Sequence, residues 1–229
     1  MKHASSTVLA DPAFRVPSAT YAPHGVAWLR ATVARFSSGT THHRRRGITT
    51  NLLTAVDPAT LRERARVLAA DRPFRTVAVE ALAEALHVRV STEDVSAVAL
   101  VYHPHLNAGA EEDQAVARLV DCCGGEWNEH TAAKIGVLVQ ACAATSNLVA
   151  NALKCAGDAG TAIATALRDD PPVPTTRRID PTGTAVEVPL AGVPFGAGAH
   201  ACPGHEHAVA IACAIVEVLR RGTVRDDLI

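Results

Sequence analysis

The residues with the most chemical content lie together near the end of the chain, in Phe195-Gly-Ala-Gly-Ala-His200-Ala-Cys202-Pro-Gly204. Cys202 stands in a glycine-rich turn just ahead of an apolar helical run that extends to Arg221. Glycines let the backbone take positive φ and let a flat ligand approach the main chain closely. Pro203 suits the first position of the helix that follows. Backbone N–H groups and the positive end of that helix favour a thiolate over a thiol. A thiolate held beside an apolar wall is what a haem iron takes as its proximal ligand. The competing reading is an ordinary glycine loop with a buried structural cysteine.

The order Phe195, Gly198, His200, Cys202, Gly204 resembles the haem-ligand loop of the cytochrome P-450 (haem-thiolate) superfamily, which has these residue types at this spacing. The resemblance implies haem b as cofactor, Cys202 as the iron ligand, and Phe195, Gly198, His200 and Gly204 as residues that shape its site. Further segments follow in the family's order. Leu9-Ala-Asp-Pro-Ala-Phe14 resembles an early family segment. His42 and Arg46 match a His-x-x-x-Arg pair that reaches a haem propionate from a helix. Positions i and i+4 share a helix face; His43 with Arg45 is the alternative pair, and a solvated charge run the plain one.

In Ala141-Cys-Ala-Ala-Thr145-Ser-Asn147 the resemblance is to the oxygen-side helix. Thr145 matches the family's threonine, Ala144 replaces its acid, and Cys142 replaces its glycine; Thr145 and Cys142 are the catalytic candidates. A lone threonine there would otherwise bond back to its own helix. Arg168-Asp-Asp-Pro-Pro-Val173 and the strand after it resemble the segment whose arginine holds a propionate, a role that falls to Arg178, with Arg177 beside it. Guanidinium geometry suits a bidentate carboxylate contact. The family's glutamate three residues before Arg168 is Thr165 here, which leaves Arg168 without that partner.

The elements that must position these groups are mostly helices. Asp57-Pro58 opens one that runs to about Ala70. Phe74–Val90 carries a helical stripe of Val77, Ala81, Leu82, Ala85 and Leu86. Ser91-Thr-Glu-Asp94 caps a segment to Val101, and Glu111–Cys123 ends at Gly124-Gly125. Thr131–Cys155 is the longest run, about 37 Å at 1.5 Å per residue, and apolar nearly all round. Asp180-Pro-Thr-Gly183 joins two short strands into a hairpin, from which the chain passes almost directly into Phe195. Tyr102-His103-Pro104-His105 reads as a polar loop; on the expected fold its histidines lie on the substrate side. The expectation is a mainly α, reduced cytochrome P-450-like fold with a small β-hairpin and the cysteine loop before the last helix, in one haem-binding domain over residues 1–229, with 1–24 largely irregular.

The totals exclude several classes. A formal charge of −1 gives no global attraction for nucleic acid or an anionic membrane, and 3% aromatics leave few stacking platforms for bases. No signal-like or transmembrane run stands out, so a cytoplasmic setting is expected. Six cysteines in a chain of 229 residues make no disulfide scaffold, and adjacent Cys122 and Cys123 have no answering pair for zinc. The expected partners are a small-molecule substrate, a redox partner or peroxide, and a second copy of the chain, with no nucleic acid and no membrane. The resemblance implies an oxidoreductase, a monooxygenase or peroxygenase in a biosynthetic tailoring step. Loss of the acid at Ala144 favours peroxide-driven chemistry, dehydration or rearrangement over standard monooxygenation, since acid–base assistance is worth about 10²–10⁴-fold. A non-catalytic haem sensor, carrier or degenerate partner protein is the alternative.

Overall fold

The computed structural model describes residues 5–226. In chain order the helices are α1 (Ser5–Ala10), α2 (Gly25–Thr32), α3 (Gly39–Thr54), α4 (Pro58–Ala69), α5 (Phe74–Ala85), α6 (Thr92–Leu100), α7 (Ala110–Cys123), α8 (Glu129–Leu153), α9 (Ala159–Asp169) and α10 (His205–Asp226). Strands β1 (Thr175–Ile179) and β2 (Ala185–Pro189) form one antiparallel hairpin between α9 and α10, with Arg178 opposite Val186.

Local chemistry sets the helix boundaries. Thr60 N–H donates to the Asp57 carboxylate at 2.8 Å, with Pro58 in the first turn of α4. Ser91, Asn128 and Asp158 accept in the same way at the starts of α6, α8 and α9. Each such cap stabilises a helix by about 1 kcal/mol. Helix α5 stops at Ala85, five residues short of the expected Val90, because His87 turns left-handed at φ 56° and Val88 N–H returns to Ala83 O.

The core forms where α8 runs between α5, α6, α9 and α10, and α10 lies along α4. Leu138, Leu148 and Val149 of α8 and Ile211 and Ile215 of α10 are almost wholly buried in it. Among the described residues α8 is the one helix long and apolar enough to cross a bilayer, and half of that stretch is buried inside the fold. It is not covered all round, however: Gln140, Ala143 and Asn147 in its middle are exposed.

Two connections fix α10. Glu217 pairs with Arg62 and Arg66 of α4, the latter at 3.5 Å, and Arg220 donates to the carbonyls of Ala152, Cys155 and Gly157 between α8 and α9. Arg168 is exposed and bonds to the neighbouring Asp169 at 2.7 and 2.8 Å. The missing glutamate therefore leaves no unpaired charge, contrary to expectation.

A smaller apolar cluster of Leu9, Val188 and Leu190 joins α1 to the hairpin, with Val193 and Ala197 from the cysteine loop packed on it. Arg15 continues the sheet by exchanging backbone bonds with Ile179 at 2.9 and 2.7 Å. The N-terminal segment is thus a brace, helical over α1 and otherwise irregular to residue 24; residues 1–4 lie outside the described part.

Candidate functional site

The cysteine loop folds back on itself. Cys202 N–H donates to Phe195 O at 2.8 Å, Gly196 N–H to Val193 O at 2.8 Å, and Ala201 N–H to Gly198 O at 3.1 Å. Gly198 has φ +68°, and a Cβ there would lie 2.7 Å from Ala10 Cα and 2.9 Å from Leu9 O. Its lack of a side chain lets α1 press against the loop; it does not line the cavity described next, as a direct cofactor contact would require. Helix α10 begins at His205, just after Pro203 and Gly204, and Ala208 N–H bonds Gly204 O at 2.9 Å.

Cys202 lines a cavity of about 800 Å³ bounded by α3, α8, the hairpin and the loop at 102–105. Burial pushes its thiol up; the Gly204 N–H bonded to the sulfur and the nearby Arg46 and Arg35 guanidiniums oppose that. The unliganded side chain is therefore a thiol that a bound metal cation would deprotonate.

The basic run on α3 divides by helix face. Arg44 and Arg45 both bind Glu129 at the start of α8, at 2.6 to 2.8 Å, and hold its carboxyl down at about 2. Arg45 also donates to Ala31 O, and His43 is exposed, so these two point away from the cavity. His42 and Arg46 line it. The His42 ring stacks on His200 at 3.9 Å between centroids and 22° between planes. His200 Nε2 donates to Ser37 O at 3.1 Å, which fixes that nitrogen as the protonated one. Burial, despite the Ser37 bond and helped by His42, Arg178 and Arg46, pushes His200 down to about 4; burial, Arg46 and His43 lower His42 as well.

Arg178 is only 6% exposed, and its bonds go to neutral groups, Thr176 Oγ1 at 3.4 Å and Arg177 O at 2.9 Å. Burial and Arg35 lower its pKa, and burial lowers that of Arg46. Arg35 and Arg46 have no ion pair or hydrogen bond among the described residues. Glu187 is the one acid lining the cavity, and it pairs with Arg177 at 3.5 Å. Partly desolvated cations without acids require an anionic ligand for compensation. A planar dianion with an open metal site fits this donor set: one thiol, apolar walls and unpaired guanidiniums.

On the opposite wall α8 contributes Val137, Gln140, Ala141, Ala144, Thr145 and Leu148. Thr145 is 2% exposed, and its hydroxyl forms no hydrogen bond among the described residues, so the bond back to its own helix does not occur. Cys142 does not line the cavity; it hydrogen-bonds with Ser96 of α6, and burial raises its thiol. The Ser96 bond turns its thiol toward α6, so the structure does not bring Cys142 to the cavity with Thr145. Phe195 and Gly204 line the cavity as expected.

Several lining residues carried no sequence signal: Arg35 in a 3-10 turn, Gln140 and His207; Tyr102 belongs to the loop expected on the substrate side. His207 lies 3.1 and 2.9 Å from Leu53 O and Val56 O through Nε2, closing the end of α3. His103 also lines the cavity, where burial first and then Arg35, His105, Arg177 and Arg30 push it down to about 4.

No family model matches the sequence, and no curated protein matches it. Solved structures do match in fold. A thermophilic cytochrome P-450 from Sulfolobus tokodaii superposes with a TM-score of 0.74 at 16% identity, over 94% of this chain and 83% of that one. Cytochrome P-450 BioI, solved in complex with an acyl carrier protein ligated to hexadec-9Z-enoic acid, gives 0.69 at 15% identity, over 95% and 82%. A cytochrome P-450 from Bacillus subtilis gives 0.64 at 16% identity, over 94% and 82%. The chain therefore has a cytochrome P-450-like fold.

Proposed function

We propose that this protein binds haem through the Cys202 thiolate and uses it in an oxidative or haem-dependent transformation of a small molecule. The observation that carries this is the pairing, in one cavity, of a single cysteine with partly buried arginines that have no acidic partner. Cys202 holds the iron, and the Gly204 N–H stabilises the sulfur's negative charge. Arg46 and Arg178 bind the two propionates, and the His42–His200 stack closes that edge. Phe195 covers the thiolate side. Bound haem supplies one- and two-electron chemistry and Lewis acidity, with the thiolate raising electron density on the iron.

The apolar wall of Val137, Ala141, Ala144 and Leu148 orients an apolar substrate. Thr145 Oγ1 is the group on that wall able to hold a water or pass a proton. Ala144 contributes no acid, so protons come through Thr145, water or the substrate; this favours oxidation driven by peroxide, or dehydration or rearrangement, over standard monooxygenation. An external redox protein, a second copy of the chain and a cytoplasmic setting remain parts of this reading.

The purified protein's optical spectrum tests it. Loaded with haemin, reduced and exposed to carbon monoxide, it should show the red-shifted Soret band of a thiolate ligand, and Cys202→Ser should lose that band. A colourless protein that refuses haemin, or an unchanged band in the variant, refutes the proposal. The alanine at 144 and the surface position of Arg168 favour a second reading, a non-catalytic haem carrier. It would gain ground if no small molecule shifted the iron from low to high spin and no peroxide-dependent turnover occurred.

A further inference from the structure

The charge lining the cavity is not exhausted by the proposed haem. Arg35, Arg46, Arg177 and Arg178 face one acid, Glu187. Ferric iron, porphyrin and a thiolate are together neutral, and two propionates leave one positive charge over.

With Arg177 paired to Glu187 and Arg46 and Arg178 given to the propionates, that remaining charge falls to Arg35 by elimination. Arg35 lies beside Phe36, its guanidinium carbon 5.8 Å from the ring centroid, and Phe36 packs against Tyr102 at 5.2 Å and His103 at 6.4 Å. The Tyr102 hydroxyl is buried with no hydrogen-bond partner, although the residue lines the cavity and is only 4% exposed. A buried orphan hydroxyl costs about 1–3 kcal/mol, so its retention points to a ligand that completes it. The Tyr102 hydroxyl and Gln140 Nε2 flank one point on α8: a Cβ at Gly136 would lie 3.6 Å from the first and 3.7 Å from the second, with Val33 Cγ1 closing the space at 3.1 Å. The loop carrying Tyr102 and His103 is held in place by Arg30 of α2, which donates to the carbonyls of Val101, Tyr102 and Leu106.

We propose that Arg35, Tyr102 and Gln140 form a subsite for a carboxylate or similar oxyanion on the substrate, whose apolar remainder lies along α8. The substrate class is thus an amphipathic acid. This rests on the haem reading, which commits Arg46 and Arg178 to propionates. Guanidinium, phenol and the Gln140 amide hydrogen not bonded to Gly136 O all donate, so a carboxylate satisfies each of them, whereas a quaternary ammonium satisfies none and an alcohol only one or two.

The test uses dodecanoate, dodecan-1-ol and dodecyltrimethylammonium, a cation that cannot ligate iron, on the haem-loaded protein, read as the low-to-high-spin shift of the Soret band. Dodecanoate should bind at least tenfold more tightly than the alcohol, and the ammonium weakest. Arg35→Gln should remove the preference while keeping haem content and the Cys202-dependent band. Tyr102→Phe should weaken dodecanoate a few-fold and leave the alcohol unchanged, and Arg35→Lys should restore most of the preference. Equal affinities for acid and alcohol in the parent protein, or a preference that survives Arg35→Gln, overturn the subsite. A parent protein that takes up no haem refutes the function proposed above instead. Calorimetry of the same three compounds on that protein then decides the subsite by the same two outcomes.

Discussion

Adding one methyl group at Gly198 tests whether α1 sets the shape of the cysteine loop. In Gly198→Ala the new Cβ would lie 2.7 Å from Ala10 Cα and 2.9 Å from Leu9 O, both backbone atoms that cannot rotate away. The residue also holds φ +68°, which costs an L-side chain roughly 1–2 kcal/mol. The overlap adds about 1–3 kcal/mol, as overpacking does. The expected loss is therefore about 3 kcal/mol. Gly192→Ala isolates the first contribution, since Gly192 has φ +79° and nothing within 4 Å of its would-be Cβ. Its cost should be about 1 kcal/mol. At 2–4 °C per kcal/mol for a domain of this size, melting should fall by about 6–12 °C in the first variant and about 2–4 °C in the second. Denaturant titration checks the free energies directly. Only Gly198→Ala should also lose haem affinity, because it alone shifts the loop carrying Cys202. Two variants that agree within about 0.5 kcal/mol would show that α1 does not press on the loop, and the bracing argument would fail.

Arg178→Ala should lower haem retention roughly tenfold in a wash-out assay, as loss of a charge-assisted contact does, while Arg168→Ala on the surface should change nothing; equal behaviour reassigns the propionate contact. Thr145→Ala should slow oxygen-dependent turnover about 10²-fold and peroxide-driven turnover far less, and equal loss in both assays removes Thr145 from proton handling. Acid stability reports on His103, whose folded pKa of about 4 lies below the ordinary 6.5. A depressed histidine stabilises the fold while neutral, so stability is complete above about 6.5 and falls as pH drops towards 4. The full shift would cost about 3 kcal/mol, and solvent screening of this part-exposed ring reduces that to about 1 kcal/mol. His103→Asn should remove that increment between pH 7 and pH 4, and parallel stability curves for parent and variant would refute the assignment.

The helical scaffold was legible wherever a cap and an apolar stripe coincided, as at Asp57-Pro58 and Ser91. Helix α5 was overrun because residues 86–90 keep an apolar pattern after His87 has left the helix. The cysteine loop was legible because its residues act through fixed backbone spacing, which sequence displays directly. The choice between His42 with Arg46 and His43 with Arg45 was not, since one residue's difference in helix phase depends on where α3 docks. Glu129 decides it by binding the two outward arginines, Arg44 and Arg45, from 85 and 84 residues away. The position of Cys142 off the cavity was not legible, because motif order does not show that its thiol bonds Ser96 of α6. The convergence of Arg35, Tyr102 and Gln140 was invisible for a different reason: they come from three separate elements, and no local pattern records such a meeting.

The bare middle of α8, where Gln140 and Ala143 reach solvent while lining the cavity, has a kinetic consequence. With a window already open there, a guest needs no segment to swing aside before it comes or goes, so its residence time is set by its contacts rather than by a gating motion. Long guests can leave a tail in the water outside. If the proposed haem function holds, small oxidants would share the same way in.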